Sequence, residues 1–269
     1  MITGTGLVVH ELGAESSPNA LVLMHGLTDS GECWPDAVRR WGTAYRIFAV
    51  DARGHGRSPR FTTEELAGHP GDVMLADAVS LLEELAGSGV DRPVVVGHSM
   101  GGALAGAAAA LRPDLVRAAV LEDPAWGTRP DDDEVRQAAL ERLEWTQEFR
   151  DDLAGALAKG RAENPRWPEV ELGPWAGSKQ LTDPPFLETG IAWPSTPWDD
   201  FARRLAVPTL VVTGDQEVLI DSGVQEVVGG LGNQHVTVSV VPGAGHCVRR
   251  DATEAFHALV DPWIAARFA

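Results

Sequence analysis

Cysteine is nearly absent: Cys33 and Cys247 are the only two in 269 residues. They form neither a disulfide framework nor a metal-ligand spacing, so they read as reduced thiols in a cytoplasmic protein. No apolar run approaches the length of a membrane span. The opening Met1-Ile2-Thr3-Gly4-Thr5-Gly6 lacks a basic segment followed by an apolar stretch, so no secretion signal is read. Basic residues are scarce, 22 Lys and Arg against 39 Asp and Glu, a net charge of −17. That field repels nucleic acid and anionic membrane surfaces, and neither is an expected partner. The acid excess otherwise reads as a solubility feature. There is no Gly-x-Gly-x-x-Gly, no phosphate loop and no paired His–carboxylate spacing. No cofactor and no metal are therefore expected.

What is present is an alternation of short apolar strands and helices, in a chain long enough to bury a sizeable core. Strands are read at Leu7–Leu12, Ala20–Met24, Tyr45–Val50, Val116–Leu121, Pro208–Thr213 and Val236–Val241. A helix is read from about Asp72 to Leu85, where Val73, Ala76, Val79, Leu82 and Leu85 recur at three- and four-residue spacing. A last helix runs from Thr253 to about Phe268. Near-continuous Val and Leu strands separated by helices predict a mostly parallel sheet covered on both faces.

The most informative stretch is Val94-Val95-Val96-Gly97-His98-Ser99-Met100-Gly101-Gly102. A β-branched run ends at a glycine, a serine stands at the apex, and an Ala- and Leu-rich helix follows. So tight a strand-to-helix turn strains the serine and demands bare neighbours two residues to either side. Gly97 and Gly101 meet that demand. The turn lifts the Ser99 hydroxyl above the sheet edge, where the helix amides point at the same spot. A free serine is a poor nucleophile and needs a base. His246, which follows a strand through Gly243-Ala244-Gly245, is the candidate. The amide of Met100, directly after the serine, is one oxyanion donor.

From Trp126 to Asp200 the rhythm breaks. No strand is read there. Asp131 to Lys159 reads as helical in two pieces, and a Pro- and Trp-rich stretch follows. An insertion at the carboxyl ends of sheet strands reads as a cap over the site. Trp126, Trp167, Trp175, Trp193 and Trp198 are the candidate pocket residues, some of them lining an apolar pocket and others joining helices to the core.

These strings together resemble the α/β-hydrolases of the large capped group. The motifs are His25-Gly26-Leu27, Asp51-Ala52-Arg53-Gly54-His55-Gly56-Arg57-Ser58, Gly97-His98-Ser99-Met100-Gly101 and Gly243-Ala244-Gly245-His246. The resemblance covers His25 through His246, with the cap poorly matched. It implies an α/β fold with a mostly parallel, eight-stranded sheet flanked by helices. The core would take residues 1–125 and 201–269, and the cap 126–200. It also implies Ser99 as nucleophile, His246 as base, and the amide of Leu27 as the second oxyanion donor. Relatives usually carry their acid in a Gly-Asp-x-Asp loop after the strand that ends here at Thr213. That loop reads Gly214-Asp215-Gln216-Glu217, which puts Glu217 in the acid position and leaves Asp215 to hold local amides. Asp123, at the end of the preceding strand, and Asp215 are the alternatives.

The expected activity is cleavage of an ester or lactone of a small to medium apolar or aromatic substrate through an acyl-enzyme, by a monomer or homodimer. Carbon–carbon bond hydrolysis and cofactor-free perhydrolysis on the same residues stay open. So does a non-enzymatic ligand receptor that keeps the fold.

Overall fold

Strands whose every residue is apolar need cover on both faces, and this sheet is covered on both. The computed structural model describes residues 1–127 and 131–269; residues 128–130, inside the expected cap, lie outside the described residues. The first half of the core runs β1 (Val9–Gly13), β2 (Ala20–Met24), α1 (Pro35–Trp41), β3 (Arg46–Val50), α2 (Thr63–Ala67), α3 (Pro70–Gly87), β4 (Val94–His98), α4 (Met100–Leu111) and β5 (Ala118–Glu122). Helices α5 (Asp132–Asp151), α6 (Leu153–Glu163), α7 (Glu169–Gln180), α8 (Pro184–Glu188) and α9 (Trp198–Arg204) intervene. The chain closes with β6 (Thr209–Thr213), α10 (Ser222–Gly230), β7 (Val236–Val240), α11 (Val248–Asp251) and α12 (Thr253–Ala265).

The strand order is β1-β3-β2-β4-β5-β6-β7, with β1 antiparallel to β3 and every other pair parallel. The sheet thus has seven strands among the described residues, not the eight expected. Ile2 makes a single antiparallel bridge to Val8, because the Thr3–Gly6 turn closes too early for the pairing to extend. Within each strand alternate residues serve opposite faces. Val22, Val95, Ala119 and Val211 pack under α3, α4, α9 and α10. Leu21, Leu23, Val94, Val96, Val120 and Val212 pack against α1, α11 and α12.

The described residues between β5 and β6 form helices joined by loops, with no strand among them, as the lack of strand patterning predicts. Asp131 opens α5 with a reciprocal capping box to Glu134, and Asp152 breaks the helix and caps α6. Phe149, Ala156, Trp175 and Ala176 give these helices a small core of their own. Helix α9 begins inside the stretch assigned to the cap but packs on α4 of the main domain.

Candidate active site

Backbone strain marks where β4 turns into α4. Ser99 sits at φ 54°, ψ −117°, a conformation that L-residues avoid and that costs about 1–3 kcal/mol unless its surroundings enforce it. They do. The Ser99 amide donates to Glu122 O (2.9 Å), and the Ser99 carbonyl accepts from Ala103 N (3.0 Å) and Ala125 N (2.9 Å). A Cβ on Gly97 would run into the Gly101 carbonyl, and one on Gly101 into the carbonyl of Met24. The two flanking glycines are therefore a packing requirement of this turn.

The hydroxyl so presented meets His246, whose Nε2 lies 3.0 Å from Ser99 Oγ. The other ring nitrogen, Nδ1, lies 2.5 Å from Asp123 Oδ2. Asp123 follows β5 directly, is fully buried, and takes φ 36° to turn its side chain toward the histidine. Its carboxylate also accepts from the Thr213 hydroxyl (2.7 Å), Leu219 N (2.9 Å) and Ile220 N (3.0 Å). With those donors aimed at it, Asp123 accepts a hydrogen bond from Nδ1–H of His246, which leaves Nε2 to accept from Ser99.

Glu217, the acid expected from the loop pattern, is not in this line. It is exposed, at φ 51°, and makes no hydrogen bond to His246. The physical reason is that the loop after β6 reaches the site with its backbone. The amides of Leu219 and Ile220 cradle Asp123, and the carboxylate already there fills the place at Nδ1. Asp215 holds the turn instead. It accepts from Gly243 N (2.8 Å), and its own amide donates to Ala244 O (3.0 Å), tying this loop to the one that carries His246.

Two backbone amides stand open beside Ser99. Met100 N begins α4 and so has no intrahelical acceptor. Leu27 N has no partner among the described residues, and Gly26 before it is packed so closely that a Cβ there would lie 3.3 Å from Ser99 Cβ. Buried histidines fasten this loop. His25 donates from Nδ1 to Gly26 O (2.8 Å) and accepts at Nε2 from Ala52 N (3.0 Å). His55 donates to Arg53 O (3.0 Å) and accepts from Thr28 N (3.2 Å). Each acts as donor and acceptor at once, which only the neutral ring can do. Burial accordingly lowers the pKa of His25 and pushes that of His55 down to about 3. Arg53 is held by Asp77 and does not turn toward Ser99 (Nε to Oδ2, 2.7 Å).

Sequence reasoning missed a buried ionic cluster under the site. Arg249 pairs with Glu122 (2.6 Å), the neighbour of Asp123. Arg250 pairs with Asp29 (2.9 Å) and with Glu171 of α7 (2.9 Å), and Lys179 of α7 reaches Asp29 (2.5 Å). All six side chains are buried. The only hint in the chain was a tandem Arg249-Arg250 just past the histidine, a pattern that ordinarily reads as solvent-facing. Cys247 lies among them; burial pushes its thiol up to about 12, so it is an inert neighbour. His98, Glu122 and Cys247 bring ligand-type atoms within 4.8 Å of one another. Both oxygens of Glu122 are committed to Arg249, and the thiol holds its proton, so the donor set does not suit a metal.

Two cavities lie near the Ser99 turn, lined by its neighbours and not by Ser99 itself. The larger, about 780 Å³, is lined by Trp126, Trp193, Trp198, Phe201, Leu219 and Val224 among others, and by Ala103 and Ala125, which bind the Ser99 carbonyl. Trp126 stacks on Trp198 with ring centroids 5.3 Å apart. The smaller, about 140 Å³, lies between Leu27 and the helices α5 and α8, and meets the first at Trp193. Trp167 and Trp175 line neither of these cavities. They pack on each other and on Arg250 and Phe149, joining α7 to the core.

A sheet of this order with a serine turn at β4 and a histidine after β7 defines a class, and the comparisons agree with it. Residues 21–259 match the model of the alpha/beta hydrolase family, and the chain belongs to that family. It is 37% identical over 108 residues to a putative non-heme haloperoxidase of Mycobacterium phage D29, covering 40% of this chain and 36% of that one. It is 32% identical over 199 residues to lipase LipV of Mycobacterium tuberculosis, covering 73% of this chain and 66% of that one. The chain thus spans less than two thirds of either relative. A crystal structure of E-2-(acetamidomethylene)succinate hydrolase superposes with a TM-score of 0.73 over 95% of both chains at 23% identity, a likeness of fold.

Proposed function

We propose that the protein is a serine hydrolase that cleaves an ester or lactone through an acyl-enzyme. The observation that carries this reading is the hydrogen-bonded line from Ser99 Oγ through His246 to Asp123, with the open amides of Leu27 and Met100 beside it. His246 Nε2 takes the Ser99 proton as Oγ attacks the carbonyl carbon, and Asp123 stabilises the imidazolium. The oxyanion forms against the amides of Leu27 and Met100. His246 then returns the proton to the leaving alcohol, and in the second half it activates the water that releases the acid. The lipase relative supports ester chemistry. The Trp-lined cavity supports an apolar or aromatic group on the substrate. In this reading α5 to α8 act as a cap.

The test is turnover of 4-nitrophenyl butyrate with covalent labelling by a fluorophosphonate. We expect one adduct, on Ser99, and a loss of roughly three to six orders of magnitude in kcat for Ser99→Ala with its fold kept. An adduct elsewhere, or wild-type turnover by Ser99→Ala, refutes the reading. The haloperoxidase relative favours a second reading, perhydrolysis on the same residues. Acetate, peroxide and bromide in one assay, with halogenation as readout, tests it.

A further inference from the structure

The smaller cavity is apolar on nearly every side, and its exception is a cation. Helix α5 presents Val135, Ala138, Ala139 and Arg142 to it, the spacing of one helical face. Leu27, whose amide stands open beside Ser99, lines the same cavity. Among the described residues the Arg142 guanidinium has no hydrogen bond and no ion pair. Its one recorded contact is a cation–π approach to Trp145, 5.7 Å from the ring centroid. The adjacent acid on its own helix, Glu141, is taken up by Gln137 (2.7 Å). Arg142 is open to solvent, yet enough protein surrounds its head to lower its pKa through desolvation. A group both accessible and enclosed stands in the wall of a cleft.

We propose that Arg142 is a specificity residue that binds a carboxylate on the substrate, so that the preferred ester or lactone carries a second, anionic end. This rests on the reading of Ser99 as the hydrolytic centre. The planar guanidinium offers paired N–H donors that match a carboxylate. The apolar walls of Val135, Ala138 and Ala139 give the carbon chain that carries the carboxylate a surface to pack on. The larger cavity remains for the apolar part of the substrate.

Two ester series test the proposal: 4-nitrophenyl hemiglutarate against its methyl ester, with the charge on the acyl side, and 4-carboxyphenyl butyrate against its methyl ester, with the charge on the alcohol side. Wild type and Arg142→Gln are compared, with melting temperatures measured alongside. We expect one series to show a carboxylate preference of about tenfold or more in kcat/KM, the scale of one charged hydrogen bond. Arg142→Gln abolishes that preference and leaves the neutral esters within about twofold. Carboxylate preferences unaltered by the substitution in both series overturn the proposal while leaving ester hydrolysis in place. No turnover of any ester by wild type strikes the hydrolase reading instead. Arg142 is then judged by calorimetric binding of glutarate to wild type and Arg142→Gln. About tenfold weaker binding by the variant upholds the proposal, and equal affinity overturns it.

Discussion

Asp123 Oδ2 lies 2.5 Å from Nδ1 of His246, and the loop that bears Glu217 supports that contact with its amides. The two carboxylates therefore separate in kinetics. Asp123→Asn is expected to lower kcat/KM by about three to four orders of magnitude, because the amide no longer enforces the tautomer that leaves Nε2 free. Glu217→Gln is expected to stay within about twofold of wild type, as an exposed surface change. Both variants are assayed on the same ester with melting curves alongside. An active Asp123→Asn beside a crippled Glu217→Gln would return the acid to the loop after β6.

The histidines of the core predict a pH dependence whose sign follows from their pKa directions. Burial lowers the pKa of His25 and His98, and pushes that of His55 down to about 3. In the unfolded chain such rings take up protons below about pH 6.5. The folded protein does not, so the unfolded state binds more protons and stability falls as the pH drops. Each such ring contributes a slope of about 1.4 kcal/mol per pH unit. His10 opposes this, because its hydrogen bond to Asp51 raises its pKa and adds stability on the acid side. The net expectation is a decline between about pH 6.5 and 4.5, above the range where carboxylates titrate. Urea midpoints across that range measure it, and His55→Gln should flatten the curve. A stability independent of pH there would contradict the neutral-ring geometry.

The serine and histidine are legible in the chain because each sits in a string that only one backbone path can satisfy. Gly97 and Gly101 are forced by carbonyls a Cβ would strike, so the turn announces itself. The acid is not legible in that way. Glu122 ends β5 and Asp123 leaves it at φ 36°, so the two side chains part: Glu122 goes to Arg249 and Asp123 to His246. Which loop then reaches Nδ1 depends on how the chain after β6 folds across the sheet, and residue spacing says nothing of that. The tryptophans behave likewise. Composition marks an apolar region, but the split of Trp126, Trp193 and Trp198 from Trp167 and Trp175 is set by helix packing. Arg142 reads from sequence as one more charge on an acidic helix; only the cavity wall gives it a direction.

The buried ionic cluster yields the last prediction, because its members differ in which part of the molecule they hold. Lys179 and Glu171 belong to α7 of the helical insertion, whereas Arg249 and Glu122 join the His246 loop to the end of β5. Removing one partner of a buried pair leaves the other charge desolvated and costs about 3–5 kcal/mol. Arg249→Met should lose stability on that scale in urea titrations, and Lys179→Met less, because Asp29 keeps its pair with Arg250. Their kinetics should differ. Arg249→Met frees Glu122, beside Asp123, and loosens the chain three residues after His246, so kcat should fall by about tenfold or more even well below the unfolding midpoint. Lys179→Met unfastens α7 from Asp29 and leaves the Ser99–His246–Asp123 line untouched, so KM should rise while kcat holds. Equal kcat losses in the two variants would show that the cluster acts as a single structural unit and does not position the histidine separately.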